Sequence, residues 1–192
     1  MKRIKTSEVR GFPYHYPSNA SIVTARDGDR RNCIAVSRHA WFAFNPPMYG
    51  VGIGSSKHTC ELIKASGQFA INWLPFDAVT KIAAAGSASG RDVDKFDKFD
   101  IRTAEPLVVE APIVEGAYAV YECEVVSEHS IGDSTWFAAN IVAVHYDESV
   151  FTDTLQMKKL APVLWLSREI YAKAENPKLY RVDRRALTIE EI

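Results

Sequence analysis

Five consecutive residues concentrate hydrogen-bond donors in one short stretch, Ser55-Ser56-Lys57-His58-Thr59. They precede a helical pattern with Leu62 and Ile63 on its apolar stripe. N–H groups at a helix start carry partial positive charge, and hydroxyls and an ammonium group add donors, so the cluster suits a phosphate without a metal. The alternative is ordinary helix capping, for which Ser55 or Ser56 alone would suffice. Four donor side chains in five positions exceed that need and favour the phosphate site.

A second polar segment runs Gly86-Ser87-Ala88-Ser89-Gly90-Arg91-Asp92-Val93-Asp94-Lys95-Phe96. Here Lys95 is a candidate second cation for the same ligand. Alternatively, Arg91-Asp92 and Asp94-Lys95 are surface charges that compensate one another and contribute little in solvent. When the segment is considered alone, this alternative is favoured.

A third stretch, Asn32 to Arg38, is expected to return from an Asp-Gly hairpin turn. Its backbone could face the polar edge of a ring system, with the side chains of Asn32 and Ser37 adding hydrogen bonds. It could equally be an ordinary hairpin strand whose amides pair with a neighbour. The residue types do not separate these alternatives.

Other chemistry finds little support in the sequence. The histidines do not occur at the spacing of a zinc or iron site, and no Gly-x-Ser-x-Gly nucleophile motif is present. Gly50-Val51-Gly52-Ile53-Gly54 lacks the spacing of a Rossmann dinucleotide fingerprint. We therefore predict no metal site and no obligatory catalytic side chain, and any nicotinamide would bind on another kind of surface.

Composition predicts one globular domain. The chain has 192 residues, 47% hydrophobic and 24% charged, with a formal net charge of −1. That charge argues against a nucleic-acid partner.

Cys33, Cys60 and Cys123 are widely separated, which is typical of a reducing compartment. The start of the sequence lacks the pattern of a secretory leader, and no apolar run reaches the roughly 18 residues that span a bilayer. We expect a cytoplasmic protein without a membrane partner.

Apolar and turn patterns predict the elements that position these residues. Two short helices are expected, the first capped by Ser55 or Ser56 and ended by Gly67, the second capped by Asp77. Strands are predicted over 21–25, 33–37, 48–53, 69–74, 117–128, 135–146 and 162–166. Long strands curl and favour a barrel, so the predicted fold is a mainly β (α+β) antiparallel barrel with short peripheral helices. The domain is expected to span 1–172, with a peripheral C-terminal arm over 173–192.

Taken together, the segments resemble a known family. The order and spacing of Asn32–Ser37, Asn45-Pro46-Pro47, Ser55–Thr59, Phe69-Ala70-Ile71-Asn72, Gly86–Phe96, Ala111-Pro112-Ile113 and Glu122-Cys123 are similar to the flavin reductase-like family of FMN-binding split barrels, in particular its flavoredoxin branch. The resemblance covers about Pro13 to Leu166.

The resemblance implies a six-stranded antiparallel split β-barrel, usually a homodimer, that holds FMN noncovalently near the subunit interface. It implies that Ser55, Ser56, Lys57 and Thr59 hold the phosphate. It further implies that the backbone of Ile34, Ala35, Val36 and Ser37 faces the isoalloxazine, while Asn32 and Lys95 contact polar groups of the flavin. Arg38, which follows Ser37, is expected near the ring, where its charge would favour the anionic reduced flavin.

Three positions depart from the family pattern. Arg38 stands where relatives often have tryptophan, Ser134 where a histidine is common, and Ser167-Arg168-Glu169-Ile170-Tyr171 where glycines often precede an aromatic pair. A changed electron donor or acceptor is consistent with these departures. The first hypothesis is an FMN-dependent oxidoreductase, with electrons from NADH or NADPH. The alternatives are a noncatalytic electron carrier reduced by a protein partner and, less favoured, a barrel that binds haem.

Overall fold

The computed structural model describes residues 15–175, 177–183 and 188–191. Its main sheet is antiparallel, seven-stranded and ordered β3-β2-β6-β9-β10-β5-β4. The strands are β2 (Ser21–Asp27), β3 (Arg30–Val36), β4 (His39–Phe44), β5 (Pro47–Gly54), β6 (Gln68–Trp73), β9 (Ala119–Ile131) and β10 (Ser134–Tyr146). No ladder between β3 and β4 closes the sheet in the described part of the chain.

The predicted antiparallel split-barrel class is confirmed. The sheet contains one more strand than the resemblance implied, because residues 39–44, which the sequence analysis did not assign, form β4. This strand lies at the sheet edge and carries exposed aromatic side chains. A strand whose apolar side chains face solvent lacks the alternating pattern by which half-buried strands are recognised.

The first hairpin follows from its turn residues. Gly28 takes a positive φ of 59° between β2 and β3, as a tight hairpin turn requires. Each of the seven residues of β2 pairs with one of β3, from Ser21 with Val36 to Asp27 with Arg30. This register places Cys33 and Ala35 on one face of β3, and Ile34 and Val36 on the other.

Two aromatic rings lie where glycines remove side chains from β5. A Cβ at Gly50 would lie 2.0 Å from the ring of Phe42, and one at Gly52 would lie 2.7 Å from the ring of Trp136. Glycine inside a strand often marks the close approach of another backbone or of a flat group. The flat groups are the protein's own side chains.

Within the described ranges, three helices and one 3-10 turn flank the sheet. They are α1 (His58–Ser66), the 3-10 turn Phe76–Ala78, α2 (Val79–Ser87) and α3 (Lys95–Lys98). Gly67 ends α1 with φ 70°, as predicted. The predicted caps are wrong: Lys57 precedes α1 and Ala78 precedes α2, and neither helix has a side-chain cap bond. Asp77 instead lies inside the 3-10 turn, where its backbone is already helical.

A smaller sheet packs beside α2. It is ordered β1-β11-β12 and contains β1 (Ser18–Asn19), β11 (Val163–Ser167) and β12 (Ile170–Lys173). The described residues also form two short strand pairs, β7 (Thr103–Ala104) with β8 (Ile113–Val114), and β13 (Tyr180–Asp183) with β14 (Thr188–Glu191). The latter pair lies in the predicted C-terminal arm and is exposed. Among the described residues, no helix is long and apolar enough to cross a bilayer.

Two of the three apolar clusters among the described residues hold the layers around β3 together. The larger fills the barrel beneath α1 and includes Val51, Leu62, Phe69 and Phe137. The smaller joins β3 to α2, α3 and β11 through residues that include Cys33, Ile82, Ala85, Phe96 and Val163. Strand β3 therefore separates two packed layers, and the candidate site lies along it.

Candidate functional site

The turn between β5 and α1 presents an uncapped helix start. Ser55, Ser56 and Lys57 are exposed, and no side chain in the described part of the chain bonds to the first N–H groups of α1. The Oγ of Ser55 instead lies 3.0 Å from Oγ1 of Thr135. The helix is therefore left with unsatisfied amides and partial positive charge beside two serines and an ammonium group.

Two arginines flank this turn. Arg91 donates from Nη1 to the carbonyl oxygen of Ser56 (3.0 Å) and from Nη2 to Glu61 (3.0 Å). Arg38 donates to Oγ of Ser134 (3.0 Å), next to the Thr135 that contacts Ser55. Arg38 thus lies near the serine turn. The sequence analysis favours a surface charge compensated by Asp92 at this position, whereas Arg91 reaches Ser56 and Glu61. This approach depends on the path of a loop, which local sequence does not reveal.

Asn32 and Thr59 meet inside the wall of the site. Nδ2 of Asn32 donates to Oγ1 of Thr59 (2.9 Å), and both residues are buried. Oδ1 of Asn32 has no protein partner within the described ranges. The backbone of Gly90 covers this amide, since a Cβ there would lie 2.2 Å from Oδ1. The pair therefore fastens β3 to the first turn of α1, beneath the loop that carries Arg91.

Lys95 is also built into the wall. It is only 3% exposed, and its Nζ donates to the carbonyl oxygens of Cys33 (2.8 Å) and Ala85 (2.7 Å). Ala85 lies in the last turn of α2, where carbonyl groups lack helical partners. Burial lowers the pKa of Lys95. The ammonium group joins β3 to the end of α2.

A cleft of about 280 Å³ opens beyond this junction. One wall is Ala35 and Val36 at the end of β3, with Ser37 directly after the strand. The opposite wall is α2, where a Cβ at Gly86 would lie 3.4 Å from that of Ala35. The carbonyl oxygen of Ser37 accepts a bond from Ser18 Oγ (3.0 Å). Ile34 packs against the barrel core, so only its backbone belongs to this strand edge.

The third wall was missed by the sequence analysis. It is the hairpin of β11 and β12, which contributes Trp165, Arg168, Glu169 and Tyr171. The only sequence signal here was the departure from the family pattern at 167–171. Burial raises the pKa of Tyr171, and the nearby Glu169 carboxylate adds to the effect.

Strand β3 runs between the turn and the cleft. Asn32 marks the turn and Ser37 the cleft, and five residues of extended strand separate them by about 16 Å. One end is rich in donors and cations, and the other is narrow and lined by strand backbone. Such a shape suits a ligand with an anionic tail and a flat head.

Comparison with known proteins gives a consistent result. The profile of the flavin reductase like domain matches residues 14–173. An uncharacterised protein of Pyrococcus abyssi is 29% identical over 160 residues, covering 82% of this chain and 92% of its own length.

Two solved structures share the fold. An FMN-binding protein from Thermus thermophilus with bound 1-cyclohex-2-enone is 26% identical, with a TM-score of 0.84, and the match covers 93% of this chain and 98% of that one. A flavoredoxin from Methanosarcina acetivorans is 24% identical, with a TM-score of 0.81 and coverages of 92% and 94%. The family predicted from the sequence is confirmed: this chain belongs to the flavin reductase-like family.

Proposed function

We propose that the protein is an FMN-dependent oxidoreductase that receives electrons from NADH or NADPH. The observation that carries the proposal is a placement along β3: the uncapped helix start with Ser55, Ser56 and Lys57 lies beside this strand, and a narrow cleft lies at its end. FMN is the cofactor that matches this shape, with a phosphate at one end and a flat ring at the other. Membership of a flavin family and the FMN-binding Thermus protein support this choice.

The residues present fit the phosphate of FMN. The free amides of α1, the exposed hydroxyls of Ser55 and Ser56 and the ammonium group of Lys57 are donors for a dianion. Arg91 and Arg38 contribute further positive charge on either side. Thr59 and Asn32 support the phosphate site indirectly, since their mutual hydrogen bond holds β3 against the helix start.

The cleft fits the ring. Ala35, Val36 and Ser37 offer strand backbone to the polar edge of an isoalloxazine, while Ile34 keeps that strand against the barrel core. Lys95 sets the width of the cleft because it ties β3 to α2. Gly86 lets α2 approach Ala35 closely.

Bound FMN supplies the redox chemistry, taking up a hydride and passing electrons onward. The chain binds and orients the ring and excludes water from one of its faces. No side chain is required to transfer a proton, which agrees with a cleft whose β3 wall is mostly backbone and small residues.

The test is anaerobic mixing of FMN-loaded protein with NADPH and, separately, with NADH. Rapid loss of the yellow absorbance band with either nucleotide is the expected result. Colour that persists with both, but disappears with a chemical reductant, would support the alternative of an electron carrier that a protein partner reduces.

We also propose that the protein is a homodimer joined through β4. This edge strand exposes Trp41, Phe42 and Phe44 at 39%, 47% and 85% of their surfaces. Exposed aromatic patches and unpaired strand edges are unfavourable in a monomer and favour association. A second copy that presents the same strand would cover both.

A further inference from the structure

The tip of the β11–β12 hairpin carries a cation at the cleft where the flavin ring is proposed to lie. Ser167 pairs with Ile170, so the tip consists of Arg168 and Glu169. Both are exposed, and both line the cleft together with Ala35 and Ser37. Within the described ranges, the guanidinium group of Arg168 has no carboxylate or carbonyl partner. It is therefore free to bind an anion.

Arg168 has a backbone conformation that is unfavourable for a residue with a side chain. Its φ is 46°, in the left-handed region, and a positive φ at the first residue of a two-residue hairpin turn favours glycine. Non-glycine residues held in such conformations are strained, and they cluster at functional sites. The indole Nε1 of Trp165 donates to the carbonyl oxygen of Arg168 (2.7 Å) and holds the tip in place.

We propose that Arg168 recognises the pyridine dinucleotide that donates electrons by binding one of its phosphate groups. This inference rests on the proposed function and adds to it the residue that recognises the donor. A guanidinium group at the cleft rim would pair with the donor's phosphate while the nicotinamide lies against the exposed face of the ring. The neighbouring Glu169 carboxylate would repel an anion. We therefore expect Arg168 to strengthen nucleotide binding and Glu169 to weaken it.

The test measures binding of NADP⁺ and NAD⁺ to the FMN-loaded protein, by quenching of tryptophan fluorescence. Arg168→Gly is expected to weaken NADP⁺ binding roughly 10- to 100-fold, the loss expected for one charged hydrogen-bonded contact. Glu169→Gln is expected to tighten it severalfold. Loss for NADP⁺ alone assigns the contact to the 2′-phosphate, and equal loss for both nucleotides assigns it to the shared diphosphate.

Asp100 supplies a matched control, because it is the other non-glycine residue with a positive φ in the described chain, at 48°. Arg168→Gly and Asp100→Gly should both melt at or above the temperature of the unchanged protein, since glycine relieves strain at either site. Only the former should lose nucleotide binding. Unchanged affinity for both nucleotides in Arg168→Gly, in protein that is yellow and binds FMN normally, would overturn the inference; failure to bind FMN at all would instead overturn the proposed function.

Discussion

Lys57 is the residue whose role depends most directly on charge. It precedes α1 and is exposed, and among the described residues its ammonium group makes no hydrogen bond or ion pair that would compete with a phosphate. Lys57→Ala is expected to weaken FMN binding by about 1–2 kcal/mol, the range of a charge-assisted bond at a helix terminus. Riboflavin, which lacks the phosphate, should bind both proteins equally in a fluorescence titration.

The control for this substitution is Lys64→Ala, at the other end of the same helix, where Lys64 pairs with Glu128 (3.3 Å). It should leave both affinities unchanged. Equal losses for FMN and riboflavin in Lys57→Ala would show that Lys57 does not act on the phosphate.

Lys95 is expected to matter for stability before it matters for cofactor binding. Lys95→Met keeps an apolar stem but leaves the carbonyl groups of Cys33 and Ala85 without their donor. We expect a loss of about 2–4 kcal/mol in the free energy of unfolding, measured by urea denaturation of protein without FMN. Lys98→Met, at an exposed position of α3, should change it by less than about 0.5 kcal/mol.

Some of the site residues could be predicted from the sequence, and others could not. Ser55, Ser56 and Lys57 could be found because donors and a helix start are adjacent in the chain. The contacts of Arg91 with Ser56, 35 positions away, and of Arg38 with Ser134, 96 positions away, were not accessible because they depend on how loops and strands cross. The same reason hides the burial of Lys95, which lies in a segment rich in charged residues.

At the scale of elements, Glu122 on β9 anchors the segment that precedes β8. Its carboxylate accepts N–H bonds from Leu107 (2.7 Å), Val108 (2.7 Å) and Val109 (3.0 Å), and a bond from His145 on β10. Burial alone would raise the pKa of Glu122. The three amides and the imidazole outweigh burial and lower it.

This lowered pKa gives stability a predictable dependence on pH. A carboxyl group whose folded pKa lies below its unfolded value of about 4.5 stabilises the fold above that pH, and the contribution is lost as the pH falls below it. Glu122→Gln should destabilise the protein by about 2–4 kcal/mol at pH 7, and the difference should narrow in acid. Glu124→Gln, exposed on the same strand, serves as the control in denaturant titrations at both pH values.

Elements with strong local signals were predicted and others were not. The Asp-Gly hairpin, the Gly67 terminator and the long β9–β10 hairpin were confirmed because their turns and β-branched runs are local features. The predicted start of α1 was wrong by one or two residues: Ser55 bonds to Thr135 across the sheet, and this tertiary contact replaces the expected cap. Strand β4 was missed because its apolar side chains face outward.

At the scale of the whole molecule, the β4 surface is expected to decide the oligomeric state. Phe42→Ser combined with Phe44→Ser removes most of the exposed aromatic surface of that edge. The unchanged protein should elute as a dimer and the double variant as a monomer, measured by light scattering. Ile189→Ser, at a residue 69% exposed on β14, is the control and should leave the mass unchanged. A monomeric unchanged protein would contradict the proposed interface.

The most direct measurement for the whole account is a calorimetric titration of the cofactor-free protein with FMN and with riboflavin. We predict one FMN bound per chain, a yellow complex, and riboflavin binding at least tenfold weaker. The reason is that FMN, unlike riboflavin, carries a phosphate that can accept hydrogen bonds from the uncapped start of α1. Equal affinity for the two flavins would contradict the assignment of the serine-lysine turn. Absence of binding to either one would contradict the flavin site as a whole.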